Sequence, residues 1–191
     1  MQQEKVLSLF SEREALLDGH FVLSSGLHSG QYLQCARALQ FPADAAEFGR
    51  VIAEQFAGKD IETVASPAIG GLIIGYATAA ALNIRFIWTE RENGLMTLRR
   101  GFSLREGERM LVVEDVITTG GSTRECIDAL EKNGGEVVAA ASIIDRSNGM
   151  ADVGVPRIFL AGLDVPTYPP DDCPLCERGD EALKPGSRAS R

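Results

Sequence analysis

Apolar residues follow two patterns along this chain, and the change from one to the other divides it. Over residues 4–17, Val6, Leu9, Phe10, Leu16 and Leu17 recur at helical spacing, which predicts an amphipathic helix ended by Asp18-Gly19. Residues 21–33 alternate irregularly and are rich in Ser and Gly, as short strands joined by tight turns are. From there the pattern is regular: a helix near 43–57, a strand near 61–65, a helix near 71–82 and a strand near 84–88. After a polar stretch come an apolar run at 110–113, a helix near 122–132, a strand at 136–144 and a shorter one at 157–160. Strands separated by helices at this spacing predict an α/β fold, a mostly parallel central sheet flanked by helices, with ligands beyond the carboxyl ends of the strands. Three regions are expected: a helix and small hood over 1–40, a core over 41–165, and an irregular tail rich in Pro, Asp and Gly over 166–191.

Composition narrows the function more than the fold. A length of 191 residues suits one buried core with an appendage. The formal net charge of −8 opposes binding to a polyanion, so nucleic acid is not an expected partner. Small anions would have to be held by arginines, since the only lysines are Lys5, Lys59, Lys132 and Lys184. No apolar stretch approaches the roughly 20 residues that span a bilayer, and the opening MQQEKV lacks the layout of a signal peptide. The expectation is a cytoplasmic protein with no membrane partner. Cys173-Pro174-Leu175-Cys176 supplies one pair of zinc-type ligands where a structural site needs about four, and Cys35 and Cys126 are distant in sequence. The tail cysteines are therefore read as unmetallated, and His20 and His28 as hood residues making structural hydrogen bonds.

The chemistry concentrates in residues 111–123. An apolar run delivers two adjacent carboxylates, Glu114 and Asp115, to a strand end; Thr118, Thr119, Gly120, Gly121, Ser122 and Thr123 then form a turn that opens into a helix. The glycines allow close backbone approach, and the helix start offers free amides and the positive end of its dipole, a socket for phosphate. With no Gly-Lys-Ser/Thr ending, this is not a nucleoside-triphosphate loop. Paired acids one sugar's width from a phosphate socket can accept hydrogen bonds from ribose hydroxyls, so the segment reads as a ribose 5-phosphate site.

That string, VVEDVITTGGST, resembles the phosphoribosyl diphosphate signature of the type I phosphoribosyltransferases. Three further segments resemble the orotate-specific branch. Residues 19–33 look like its N-terminal hood; Ser66-Pro67-Ala68-Ile69-Gly70-Gly71 is similar to its diphosphate loop; and Ile144-Asp145-Arg146 matches the strand end whose arginine meets the orotate carboxylate. The resemblance implies the type I phosphoribosyltransferase fold, with phosphoribosyl diphosphate and orotate as substrates and orotidine 5′-monophosphate and diphosphate as products. It implies Mg²⁺ held mainly by the substrate, with no protein ligand assigned, and a homodimer whose mobile loop reaches the neighbouring site. Substrate contacts are expected from Glu114, Asp115, the 118–123 turn, Ser66, Ala68, Ile69, Gly70 and Arg146.

The sequence departs from that branch in its lysines. Ser24 and Gly70 stand where relatives carry lysine, and residues 90–107 contain none. The loop reads Arg91-Glu92-Asn93-Gly94-Leu95-Met96-Thr97-Leu98-Arg99-Arg100, compact, with a hairpin signal at Asn93-Gly94. Arg99 and Arg100 can grip a diphosphate but cannot shuttle a proton, so with Asp115 they are the expected catalytic residues and their part is electrostatic. The same socket would also serve a phosphoribosyltransferase for a purine or another base, or a non-catalytic regulator that binds phosphoribosyl diphosphate.

Overall fold

A computed structural model describes residues 1–23 and 25–184; Ser24 of the expected hood and the end of the expected tail fall outside them. The first helix, α1 (Gln3–Glu12), stops five residues short of the expected end. The Glu14 amide bonds to the Ser11 carbonyl at 2.9 Å and the Ala15 amide to that of Phe10 at 2.7 Å, with Glu14 at φ 50°. This left-handed C-terminal cap usually takes glycine. Leu16 and Leu17, which fit the helical spacing, begin β1 (Leu16–Val22) instead, and Asp18-Gly19 lies inside that strand. β1 pairs antiparallel with β2 (His28–Leu33), and a short buried helix, α2 (Cys35–Leu39), follows.

The regular part follows the hydrophobic pattern closely. Its elements are α3 (Pro42–Gln55), β3 (Thr63–Pro67), α4 (Gly71–Leu82), β4 (Arg85–Glu92), β5 (Leu95–Leu98), β6 (Glu108–Ile117), α5 (Gly121–Glu131), β7 (Gly135–Asp145) and β8 (Arg157–Gly162). Asn93 and Gly94, at φ 52° and 84°, close the β4–β5 hairpin as expected of an Asn-Gly pair. In the segment read as irregular, β9 (Thr167–Tyr168) pairs with β2, and a one-turn helix, α6 (Pro174–Glu177), follows.

The main sheet has the order β5-β4-β3-β6-β7-β8, all parallel except the β5 edge, with β1, β2 and β9 forming a separate small sheet. Alternation along β6 feeds two cores. Leu111 and Val113 join one face with Phe10, Phe48, Ile52 and Ile74, whereas Met110 and Val112 join the other with Ile87, Ile127 and Leu130. Chain order runs outward in both directions from the β3–β6 boundary, making it the switch point at which such sheets open a crevice.

Candidate active site

Two loops meet at that switch point. Pro67 at the end of β3 with Ala68 and Gly70 after it, and residues 114–123, from the end of β6 to the first turn of α5, line one cleft of about 280 Å³. The expected acid pair, the Thr/Gly turn and half of the diphosphate loop are thus brought together. Gly120 caps α5 at φ 81°, and a Cβ there would lie 2.9 Å from Val153 Cγ1. Glycine is therefore required on both conformational and steric grounds. The turn leaves the first amides of α5 without intrahelical acceptors, at the positive end of the helix dipole.

The floor of the cleft is anionic. Glu114 is almost wholly buried, and Asp115 accepts from the Val116 amide at 2.8 Å. Burial, reinforced by the Asp115 charge, pushes Glu114 up to about 9, and burial also raises Asp115. The pair thus holds a proton in the ligand-free protein at neutral pH. Neither acid has an arginine or lysine partner among the described residues. The opposite loop comes close: a Cβ on Gly70 would stand 2.7 Å from Asp115 Oδ1. A lysine side chain is thus absent where the acids and the loop nearly touch.

Two residues of the expected loop stand apart from the cleft lining. The Ser66 side chain is fully buried, and its hydroxyl donates to the Val113 carbonyl at 2.6 Å, tying β3 to β6. Ile69 is largely exposed and does not line the cleft.

Arg146 stands one residue past the end of β7, and its amide donates to the Ile117 carbonyl at 2.8 Å. Its neighbour Asp145 does not pair with it. Instead Asp145 accepts from Arg157 Nη1 at 2.9 Å, Ser147 Oγ at 2.7 Å and the Gly149 amide at 2.7 Å. Arg146 has no carboxylate partner among the described residues, and its Nε is buried without any hydrogen bond. Burial lowers its pKa below the ordinary arginine range.

Arg99 and Arg100 are not in the cleft. Arg100 makes a forked contact with Glu90, at 2.7 and 3.0 Å, and Arg99 reaches Glu92 at 3.1 Å and Glu90 at 3.5 Å. With Trp88 Nε1 also donating at 2.8 Å, Glu90 is lowered to about 2, Arg100 being the main cause. Within one chain the two arginines are therefore held by the acids of β4, and the expected catalytic part of Arg99 and Arg100 rests on the loop reaching a neighbouring site.

Sequence reasoning missed Cys35. This buried thiol at the start of α2 lies close to the Asp115 carboxylate, and burial with the adjacent acids drives its pKa well upward. No spacing rule links a residue 80 positions upstream to the acid pair; only its apolar neighbours hinted at burial.

Comparison with known proteins agrees with this geometry. A family model for the phosphoribosyl transferase domain matches residues 37–156. The chain is 50% identical over 188 residues to the orotate phosphoribosyltransferase of Pelotomaculum thermopropionicum, covering 98% of this chain and 99% of that protein. It is equally similar, at 50% over 188 residues and 98% of each chain, to that of Caldicellulosiruptor saccharolyticus. Among solved structures, orotate phosphoribosyltransferase from Aeropyrum pernix superposes with a TM-score of 0.70 at 29% identity, over 83% of this chain and 93% of that one. The Mycobacterium tuberculosis H37Rv enzyme in complex with 5-phospho-α-D-ribosyl 1-diphosphate gives 0.67 at 28% identity, over 84% and 96%.

Proposed function

The chain belongs to the phosphoribosyltransferase family, among the orotate phosphoribosyltransferases it matches over nearly its full length, and we propose that its switch-point cleft transfers ribose 5-phosphate from phosphoribosyl diphosphate to orotate. The C1–oxygen bond breaks with its electron pair leaving on diphosphate. N1 of orotate, losing its proton, supplies the pair for the new C1–N1 bond of orotidine 5′-monophosphate. The observation that carries this reading is the convergence, in one cleft, of the adjacent acids Glu114, buried, and Asp115, half-buried, with an amide-lined helix start.

Each group has a defined part. The first amides of α5, with the hydroxyls of Thr118, Thr119, Ser122 and Thr123, hold the 5-phosphate. Glu114 and Asp115 accept from the ribose hydroxyls, and their negative field favours the ring as positive character grows on it. Ala68 and Gly70 border the diphosphate. Arg146 presents a fork to the carboxylate of orotate.

Glu114 and Asp115 offer only oxygen donors and face no side-chain cation among the described residues, so they would suit Mg²⁺ brought in with the substrate. When bound, Mg²⁺ neutralises charge on the departing diphosphate.

The reading extends to a homodimer. Helix α4 is apolar on all sides yet leaves Ile73 and Tyr76 exposed, next to an apolar recess bordered by Phe86 and Trp88. A helix of that composition calls for a covering partner. In such a dimer the β4–β5 hairpin would bring Arg99 and Arg100 to the neighbouring cleft as electrostatic aids to the leaving group. A cytoplasmic setting fits the free state of all four cysteines.

The test is the loss of orotate absorbance on incubation with phosphoribosyl diphosphate and Mg²⁺, run beside uracil, adenine and hypoxanthine. Turnover of orotate alone is expected. Turnover of a purine instead, or tight binding of phosphoribosyl diphosphate without turnover of any base, would overturn the assignment.

A further inference from the structure

The tail cysteines, read from sequence as lacking partners, have two. Cys173 precedes α6 and Cys176 lies within it, in a turn closed by bonds from the Glu177 amide to the Cys173 carbonyl at 3.1 Å and from the Gly179 amide to that of Cys176 at 2.9 Å. The turn packs against the small sheet, where β1 carries His20 and β2 carries His28. His20 Nε2 lies 2.8 Å from His28 Nδ1, 3.7 Å from Cys173 Sγ and 3.8 Å from Cys176 Sγ, while Cys176 Sγ lies 3.2 Å from His28 Nδ1. All four atoms fall within 4.8 Å of one another.

These separations, from 2.8 Å with none above 4.8 Å, bracket the edges of a metal tetrahedron. Zinc–nitrogen bonds near 2.0–2.1 Å and zinc–sulfur bonds near 2.3 Å place ligand atoms roughly 3.3–3.8 Å apart. A second observation concerns the far side of an imidazole. His20 Nδ1 lies 2.8 Å from the Asp180 carbonyl, which can only accept. Nδ1 therefore carries the proton, and Nε2 turns a lone pair towards the sulfurs, the tautomer a metal-bound histidine needs.

We propose that His20, His28, Cys173 and Cys176 bind a structural Zn²⁺ ion that staples the tail to the small sheet. Two thiolates and two imidazoles in a compact tetrahedron select zinc over Mg²⁺ or Ca²⁺, and with four protein ligands no position is left open for chemistry. His20 and Cys173 are buried, whereas exposed Cys176 leaves a route for the ion. The staple also meets a need of the fold. Neither main core includes Phe21, Cys173 or Leu175, and β9 holds the tail to β2 through only two residue pairs. A sheet this small, with so little apolar burial of its own, gains most from a cross-link joining residues 148 and 153 positions apart. The site shares no residue with the cleft, so it stands independently of the proposed reaction.

The test uses the reduced full-length chain grown with zinc. Elemental analysis should find one zinc per chain, and Co²⁺ exchange should give the thiolate charge-transfer bands and intense visible absorption of tetrahedral cobalt. Cys176→Ser, at an exposed position, should lose the zinc and the cobalt spectrum, whereas Cys176→His, which restores a donor, should keep the zinc and lose part of the charge-transfer intensity. Chelation should lower the melting temperature of the unaltered chain but not that of Cys176→Ser. A reduced chain without zinc that takes up Co²⁺ with no thiolate band would overturn the proposal, as would full zinc retention in Cys176→Ser. If the variants fail to fold, the zinc content and cobalt spectrum of the unaltered chain decide the matter alone.

Discussion

Removing Arg146 should move stability and binding in opposite directions. In the ligand-free protein its guanidinium has no carboxylate partner among the described residues, its Nε is buried and unbonded, and the adjacent Asp145 is engaged by Arg157. A buried donor without an acceptor costs about 1–3 kcal/mol, so Arg146→Ala relieves a penalty while losing some packing from the arginine stem. The variant is expected to melt no lower than the original protein. Orotate binding should suffer, because its carboxylate would lose its cationic partner. Truncating one member of a buried charge pair costs roughly 2–5 kcal/mol, and at 1.4 kcal/mol per factor of ten the affinity falls about 30-fold to several thousand-fold. Calorimetric titration with orotate measures the loss, differential scanning calorimetry the stability, and relative rates with orotate and uracil the selectivity. Arg146→Lys should recover only part of the affinity, since a point charge cannot reproduce the fork. Unchanged orotate affinity in Arg146→Ala would refute the assignment, and a steep fall in melting temperature would show that the arginine has a structural partner after all.

Other perturbations follow from the same geometry. Glu114 sits at about 9 in the folded chain, above its unfolded value, so its contribution to stability is complete below the ordinary glutamate range and fades as pH rises towards 9. Glu114→Gln should therefore flatten the pH dependence of urea unfolding between these limits, gaining on the order of a few kcal/mol at the alkaline end, while phosphoribosyl transfer drops; parallel pH curves for the two proteins would count against the raised acid. Gly120→Ala places a side chain at φ 81° against Val153, which should cost about 1–2 kcal/mol of stability and raise KM for phosphoribosyl diphosphate, as thermal melts and saturation curves would reveal; normal values for both would mean that the turn has room to adapt. Arg99→Ala and Arg100→Ala should lower kcat on the order of 10²-fold where that residue steadies the leaving group, with mixed-variant dimers recovering activity if the hairpin acts across subunits; full rates in both single variants would remove the arginines from the mechanism.

What the sequence conveyed depended on how local the cause was. Helix α4 runs over Gly71–Leu82, as read, because an apolar stretch is bounded by a glycine pair and by Asn83, which takes the left-handed cap at φ 56°. The phosphate turn was equally plain, since strand, acids, glycines and helix start are contiguous in the chain. The end of α1 was hidden because Glu14 fills a position where glycine would have signalled a stop. Arg99 and Arg100 were legible as cations, but nothing in their spacing signalled that Glu90 and Glu92, on the strand before them, would hold them in place. The four donors around the tail were invisible as a set, because a two-cysteine motif and two separated histidines become a site only when β9 carries the tail to β2.

The cleft keeps its opposite charges apart, and this bears on how it binds. Among the described residues Glu114 and Asp115 have no cation partner and Arg146 has no carboxylate, although Arg146 is bonded through its amide to the last residue of the strand that bears the acids. Had arginine and acids paired, the ligand-free protein would be more comfortable and each substrate would have to break a buried ion pair on entry, at a cost of several kcal/mol. Cys35, buried at the start of α2 near Asp115, stays neutral there, since burial drives its pKa upward, and so brings no charge of its own to either side. On the proposed reading each substrate would supply the charge that its side of the cleft lacks, the orotate carboxylate for Arg146 and positive charge arriving with phosphoribosyl diphosphate for Glu114 and Asp115. Because the acid pair holds a proton until that positive charge arrives, binding of phosphoribosyl diphosphate with Mg²⁺ near neutral pH should release protons to the buffer, a release that Glu114→Gln should largely abolish.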